Sequence, residues 1–383
     1  MAFINYNALK FFISLKWVLL EIRAPKEIHK SPKAMEQIFA GLHGVYMKSL
    51  KWHESLFRTK FLTWFSFEMV GKGGESHFYI RTQEKYKNVV EAQIYAQYPD
   101  AEIMVVSDYV NDMPLSFPDD HYDLFGAELV LRKPDAFPIR TYPEFEERTM
   151  GTDEAKRIDP LASIVELFST LHPGEQILIQ LLACPVGDEW IKIGQTEIDK
   201  IMGKLPPAKK GSFLSDFVFS IDKAIGGGGT VEEKKEEKRA ELSPWKQEVL
   251  KAIERSFDKL GFLSAIRFIY IGPWDSFHKE HIAGISGSFK QFSSQNLNGF
   301  KVNKHTLTQA DWLFKKSRLL RKKRAIYQSF RERKLYVSSM IKYTLNTEEL
   351  ATLFHFPDTG VKSPLLPRVE AKKGEPPAGL PIL

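Results

Sequence analysis

The stretch from Leu62 to Val106 constrains the fold of this chain most strongly, because its residue pattern alternates between the periods of strands and helices within a short span. It predicts a strand (Leu62 to Val70), a Gly-rich turn (Gly71 to Gly74), a strand (His77 to Arg81), a helix (Glu84 to Tyr98) and a strand (Glu102 to Val106). A strand at Val18 to Ile22 and a helix at Pro32 to Leu42 precede it. The order β-α-β-β-α-β predicts a split βαβ, or ferredoxin-like, unit over residues 1–110.

A second ferredoxin-like unit is predicted over residues 126–345, after a connection rich in turn formers at 111–125. Its predicted elements are strands at Glu128 to Arg132, Gln176 to Cys184, Ser264 to Ile271 and Tyr336 to Tyr343, with helices after Asp159-Pro160 and at Lys279 to Phe292. Between its second and third strands we expect a helical insertion at about 186–261. Four glycines beside a mixed charge run predict a flexible linker at 226–240 inside it. The predicted fold class is therefore α+β.

Length and composition fit a folded chain with more than one unit. The 383 residues carry a net charge of +6, and the single cysteine, Cys184, excludes an internal disulfide and agrees with a reducing compartment. The apolar run from Phe11 to Ile22 is too short to span a membrane and is interrupted by Lys16. We interpret it as the lead into a buried first strand, with an interfacial anchor as the alternative, and expect a cytoplasmic location or a peripheral one at the inner membrane.

No catalytic motif is present in the sequence. The loop Gly71-Lys72-Gly73-Gly74 joins two strands, whereas a phosphate-binding loop leads from a strand into a helix, and the motif G-x-x-x-x-G-K-[ST] does not occur. His278 and His281 share a helical face but lack the H-E-x-x-H spacing and any cysteine companion, so we do not expect a metal site. The sequence predicts no enzymatic activity and no cofactor.

The highest charge density lies late in the chain, where residues 315–334 contain ten basic residues and one acidic residue, Glu332. Apolar residues alternate with them, which predicts a helix with a basic face. We expect the binding of a polyanion or partner by eight of them: Lys315, Lys316, Arg318, Arg321, Lys322, Lys323, Arg324 and Arg331. Nucleic acid, an anionic membrane and an acidic protein surface remain alternatives, beside a helix face that is merely solvated.

The last stretch, 346–383, predicts a short capped helix followed by an extended, Pro-rich tail. Asn346 with Glu349 three residues on forms a capping-box pattern, and Pro357 ends the helix. We expect this segment to dock a partner through the apolar side of the helix and the tail. The residues concerned are Leu350, Leu353, Phe354, Pro357, Pro367 and Arg368.

The run L-N-T-E-E-L-A-T-L-F-H-F-P at 345–357, with P-R-V-E-A-K-K-G-E-P-P after it, resembles the segment just before the motor domain in HerA/FtsK-like ATPases of conjugation and type IV secretion. Glu21 to Gln37 and Val90 to Ile103 resemble the uncharacterised domain that precedes those motors. Relatives continue into a Walker A loop where this sequence stops at Leu383, so the resemblance carries over no catalytic residue.

The resemblance implies a non-catalytic accessory or membrane-proximal component of a secretion or conjugation ATPase. Such a component would work in an oligomeric complex and dock a HerA/FtsK-like motor, with inner-membrane secretion components and DNA as further expected partners. The alternative function is a nucleic-acid-binding module that uses residues 315–334.

Overall fold

The computed structural model describes residues 15–25, 30–46, 63–148, 155–202, 243–335 and 342–358. In these ranges the chain combines helices with antiparallel sheet. The strands are β1 Trp17–Arg23, β2 Phe65–Lys72, β3 Glu75–Gln83, β4 Glu102–Val106, β5 Tyr122–Leu131, β6 Glu146–Arg148, β7 Ala155–Arg157, β8 Gln176–Pro185, β9 Gly261–Pro273, β10 Phe300–Val302 and β11 Tyr343–Asn346. The helices are α1 Lys33–His43, α2 Lys87–Gln97, α3 Ala162–Ser169, α4 Glu189–Ile201, α5 Pro244–Phe257, α6 Lys279–Lys290, α7 Lys315–Arg331 and α8 Thr347–Leu353.

Nine of the described strands form one antiparallel sheet. Eight of them make two halves with the same internal order, and the ninth, β11, pairs with β9. The first half runs β4-β1-β3-β2 and the second runs β10-β5-β9-β8, so that in each half the first strand lies between the third and the fourth. The halves join edge to edge through β2 and β8, from the pair Phe65 with Ala183 to the pair Lys72 with Gln176. The strands β6 and β7 form a separate two-stranded ribbon.

The predicted Gly-rich turn is the tight hairpin between β2 and β3. Lys72 pairs with Glu75, and the two residues between them, Gly73 and Gly74, have φ values of 57° and 95°. Two successive positive φ angles favour glycine, since a Cβ atom would clash with the backbone. The turn therefore joins two strands, as the sequence predicts.

The main core lies between one face of the sheet and five helices, α1, α2, α3, α6 and α8. The opposite face is covered by α7 over a smaller apolar cluster. Strand β8 shows how the sequence divides between the two faces: Ile177 and Ile179 enter the main core, whereas Leu178 faces α7. A strand that is buried on both faces has no polar alternation, which is why this segment reads as a continuous apolar run.

The fourth strand of the second half is not where the sequence predicted it. The edge beside β5 is occupied by β10, Phe300–Val302, and not by the stretch 336–343. Residues 336–341 lie outside the described residues, while Tyr343 begins β11 and pairs with Ser264 of β9. Three residues are too few to show the two-residue period of a strand, so β10 had no readable signature.

The predicted insertion between β8 and β9 contains α4 and α5, which pack through Ile198, Val249 and Ile253. The linker predicted at 226–240 lies outside the described residues.

Candidate anion-binding surface

The basic stretch forms α7, a helix whose two ends have different surroundings. Its inner half packs against the sheet through Ile326, Tyr327 and Phe330, and the Tyr327 hydroxyl donates to the Pro114 carbonyl oxygen at 2.6 Å. Its outer half is in solvent, with all of residues 315–318 exposed. The helix is thus anchored at one end and projects at the other.

Two of the eight basic residues predicted to bind a partner hold the helix in place instead. Lys323 is buried and forms an ion pair with Asp123. The Lys322 ammonium has three donors, and each reaches a carbonyl oxygen of the loop before the helix. The acceptors are Lys304 at 3.1 Å, Leu307 at 3.0 Å and Gln309 at 3.1 Å.

The signal for Lys323 was present in the sequence. Lys323, Ile326, Tyr327 and Phe330 fall at i, i+3, i+4 and i+7, which is the spacing of one helix face. Because three members of this set are apolar, the fourth was bound to face the sheet as well. Counting charge alone did not separate Lys323 from its exposed neighbours.

The other six basic residues lie at the surface. Arg318 and Arg331 each donate one hydrogen bond to a backbone carbonyl oxygen, at 3.0 Å to Asp311 and 3.3 Å to Leu115. The remaining four are exposed and form no ion pair with any residue in the described ranges. These four, named here the outer basic face, are Lys315, Lys316, Arg321 and Arg324.

The basic residues of this helix are close enough to affect one another electrostatically. Desolvation lowers the pKa of Lys322, and the nearby Arg318 and Arg321 lower it further. Arginines three residues apart on a helix lie side by side, so Arg318, Arg321 and Arg324 form a row of like charges. Such pairs destabilise an isolated helix.

The inner end of α7 is fixed by a buried ion network that the sequence did not reveal. Arg333 is fully buried, and its guanidinium donates from Nε and Nη2 to the two oxygens of Glu68, at 2.9 and 3.1 Å. The same group reaches both oxygens of Asp108 at 2.8 Å. This two-sided arrangement satisfies a planar guanidinium geometrically as well as electrostatically.

Burial would raise the pKa of Glu68, but the Arg333 charge and the hydrogen bonds from Arg333, Ser66 and Tyr109 together lower it to about 2. Glu68 is therefore a buried carboxylate. A second buried arginine, Arg267, donates to the carbonyl oxygens of Ser329 and Lys334 at the end of α7. The only sequence signal for this network was an acid, Glu68, inside an apolar strand.

The histidine pair considered in the sequence meets a third group in the fold. The Glu175 carboxylate, fully buried, accepts a hydrogen bond from Tyr270 at 2.5 Å, lies 2.7 Å from His278 Nδ1 and lies 3.4 Å from His281 Nε2. Each of the three residues offers a metal-ligating atom, and these atoms lie within 4.8 Å of one another. Glu175 is the member that the sequence analysis missed.

Two observations favour a hydrogen-bonded clamp over a cation site at Glu175. The carboxylate already accepts from Tyr270 at one oxygen and from the His172 amide at the other, at 2.8 Å for the latter, so each oxygen has a hydrogen-bond donor within the fold. The histidines sit at the start of α6, where the helix dipole is positive and Lys279 adds another positive charge. The cluster joins the loop before β8 to α6.

The apolar residues of the predicted docking segment belong to the main core. Leu350, Leu353 and Phe354 are buried, and the Phe354 ring contacts Phe67 and Phe78. They cannot present an apolar side to a partner while they fill this core, and Pro357 is buried with them. A docking role would then fall to later residues, including Pro367 and Arg368, which lie outside the described residues.

The chain was compared with known protein families and with curated proteins. Residues 8–365 match the family described as Domain of unknown function (DUF8128). A search of curated proteins found none that matches the chain. Within the described residues, no helix is both long enough and apolar enough to cross a membrane.

Proposed function

We propose that the chain, which belongs to the DUF8128 family, is a non-enzymatic binding module that engages an anionic partner through the outer basic face of α7. The observation that carries this proposal is that the basic residues of α7 and of the turn just after it fall into two groups, one bound within the fold and one exposed. Lys322, Lys323 and Arg333 are used for folding, whereas Lys315, Lys316, Arg321 and Arg324 have no ion-pair partner in the described structure.

A merely solvated face is the competing explanation, and the row of like charges argues against it. A helix that only needs solubility can mix acids with bases and gain from pairs of opposite charge. Here Arg318, Arg321 and Arg324 repel one another on a helix that is anchored to the sheet at its inner end. An anionic partner would relieve this repulsion and would find the cations already positioned, which lowers the entropy lost on binding.

We further propose that this module works beside a motor ATPase of the secretion or conjugation type. Support for the motor comes from the resemblance of residues 345–357 and the following Pro-rich run to the segment that precedes such motors. The strand orders β4-β1-β3-β2 and β10-β5-β9-β8 support two ferredoxin-like units joined into one sheet, with β10 as the last strand of the second.

Binding of inorganic polyphosphate to the full chain tests the anionic-partner proposal. The test variant replaces the outer basic face by K315Q, K316Q, R321Q and R324Q, and leaves Lys322 and Lys323 in place because these two hold the fold. A matched control removes four exposed lysines from other elements, through K72Q, K192Q, K251Q and K290Q. We expect the test variant to lose binding and the control to retain it. Equal weakening in both variants would show that binding depends on the net charge of the chain and not on the outer basic face.

Duplex DNA in the same titration, at matched phosphate concentration, examines the second expected partner. Binding that is no tighter for DNA than for polyphosphate is the result expected of an electrostatic surface. A marked preference for DNA would make nucleic acid the partner.

The motor proposal has its own test. A purified motor ATPase of this class should be captured by the intact chain and less well by a chain that ends at Thr359. Equal capture by both would assign docking to another surface.

A further inference from the structure

The loop that leads into α7 ends in three apolar side chains that stand in solvent. The exposed fractions are 88% for Trp312, 76% for Leu313 and 79% for Phe314. Apolar side chains of this size are usually exposed singly, and a contiguous exposed group marks a contact surface. We name residues 312–314 the apolar tip.

The backbone of the apolar tip is held in an unusual shape. Trp312 and Phe314 have φ values of 73° and 56°, in the left-handed region that residues with a Cβ rarely adopt. Such strain persists where surrounding contacts impose it, and it is concentrated at functional segments.

Those contacts lie at the base of the loop. Thr308 is bound to Gly126 of β5, by its amide at 3.0 Å and by its hydroxyl oxygen at 2.9 Å. Lys322 and Arg318 hold the carbonyl oxygens between Lys304 and Asp311. The loop is therefore held by hydrogen bonds at its base and exposed at its end. This arrangement is typical of a preformed contact surface.

We propose that the apolar tip inserts into the interfacial region of an anionic lipid bilayer, with the outer basic face of α7 against the lipid headgroups. This inference rests on the proposed function, because it names the anionic partner as a membrane. Tryptophan and phenylalanine with leucine on one side, and lysine and arginine beside them, are the composition of interfacial membrane anchors. Basic residues near the bilayer surface add attraction to anionic lipids.

The spacing along α7 fits the depth of such a site. Lys315 and Lys316 follow the tip directly, and Arg321 lies about 9 Å farther along the helix axis at about 1.5 Å per residue. An interfacial segment enters the bilayer by about 5 to 10 Å. With the tip at that depth, the first turns of α7 stand in the headgroup layer. Residues 304–331 contain a single acidic residue, Asp311, so the surface around the tip is basic overall. The backbone carbonyl oxygen of Asp311 accepts a hydrogen bond from Arg318.

A nucleic acid or an acidic protein would use the basic face without needing the tip. A protein partner that did contact the tip would need an apolar groove for these three side chains. The charge pattern of α7 predicts an anionic surface and gives no sign of such a groove. Proteins that stack nucleic-acid bases place aromatic side chains within a basic groove. Here the apolar residues form the end of the loop, and the lysines and arginines lie on one side of it. The order of apolar tip first and cations second corresponds to the order of layers in a membrane.

Vesicle binding of the full chain tests the inference. The probes are phosphatidylcholine vesicles with and without phosphatidylglycerol, and the tip variant is W312S with L313S and F314S. A matched control, L115S with W245S, removes apolar side chains that are 85% and 51% exposed elsewhere. We expect the wild type and the control to bind anionic vesicles, and the tip variant to bind them about tenfold more weakly or worse. Its polyphosphate binding should be unchanged.

Insertion itself is read from fluorescence. Phosphatidylglycerol vesicles with brominated acyl chains should quench the tryptophan emission of the wild type, and W312F should remove that quenching while it retains binding. Persistent quenching in W312F would place another of the seven tryptophans in the bilayer and overturn the assignment of the tip.

The two proposals fail separately. If the tip variant binds anionic vesicles as well as the wild type does, the membrane inference is wrong, while polyphosphate binding that depends on the outer basic face leaves the proposed function standing. If that polyphosphate binding survives the four glutamine substitutions, the proposed function fails as well.

Discussion

The two halves of α7 contain the same residue types in opposite roles. In the inner half Lys323 is buried against Asp123, and just beyond the helix Arg333 is enclosed by Glu68 and Asp108. In the outer half Lys315 and Lys316 stand in solvent. The comparison teaches that a run of basic residues is not one feature: its buried members stabilise the fold, and only its exposed members are available to a partner.

The largest expected effect is at the buried end. Arg333→Met leaves the Glu68 carboxylate buried without its ion-pair partner, and breaking a buried pair on one side costs about 3 to 5 kcal/mol. Urea denaturation should show this loss. Arg324→Met in the exposed row should change the free energy of unfolding by less than about 0.5 kcal/mol, and a similar loss in both variants would erase the distinction between buried and exposed basic residues.

Acid should act on the same network. The pKa of Glu68 in the fold is about 2, below its ordinary value of 4.5, so its ionised form stabilises the folded state. That contribution is complete above pH 4.5 and is lost as the pH falls from there toward 2. It amounts to about 3 kcal/mol by linkage.

The free energy of unfolding, measured from pH 6 down to pH 3, checks this prediction. Glu68→Gln should flatten the acid limb of the curve. An equally steep limb in that variant would assign the acid sensitivity to other carboxylates.

A smaller effect is expected at the junction of the two halves. Lys323→Gln leaves Asp123 without its cation, and an unsatisfied polar group that is mostly buried costs about 1 to 3 kcal/mol. Lys316→Gln, on the same helix face but two turns nearer the exposed end, is the matched change and should leave thermal unfolding unchanged. If Lys323→Gln leaves thermal unfolding unchanged, Lys323 does not stabilise the fold and belongs with the exposed basic residues.

The smallest effect on folding should come from the outer basic face. Replacement of Lys315, Lys316, Arg321 and Arg324 by glutamine removes like-charge repulsion and should leave stability unchanged or raise it by up to about 0.5 kcal/mol. A marked loss of stability would show that these residues have partners in the folded chain.

The parts of the fold that were predictable had long or chemically specific patterns. Strands β1 to β4 and helices α1 and α2 lie where hydrophobic periodicity placed them. The capping box was also correct: Asn346 Oδ1 accepts from the Glu349 amide and Glu349 Oε2 accepts from the Asn346 amide, both at 2.9 Å. Each signal is local, so neighbouring residues suffice to read it.

What escaped prediction depends on distant residues. Glu68 and Arg333 are separated by 265 positions in sequence, and no local pattern links them. Glu175 reaches His278 in the same way, across 103 positions. The burial of Leu350 and Phe354 was misjudged for a related reason, because an apolar helix side looks the same whether it meets a partner or its own sheet.

The salt dependence of polyphosphate binding tests the central claim most directly. Each phosphate contact releases counterions, and for a flexible single chain the logarithm of the association constant falls by about 0.7 per contact for each unit of the logarithm of salt concentration. If the outer basic face makes the contacts, the four glutamine substitutions should reduce this slope by roughly 3, and the K72Q, K192Q, K251Q and K290Q control should retain the wild-type slope. The same slope in the wild type and the outer-face variant would contradict the claim that the outer basic face is the binding surface.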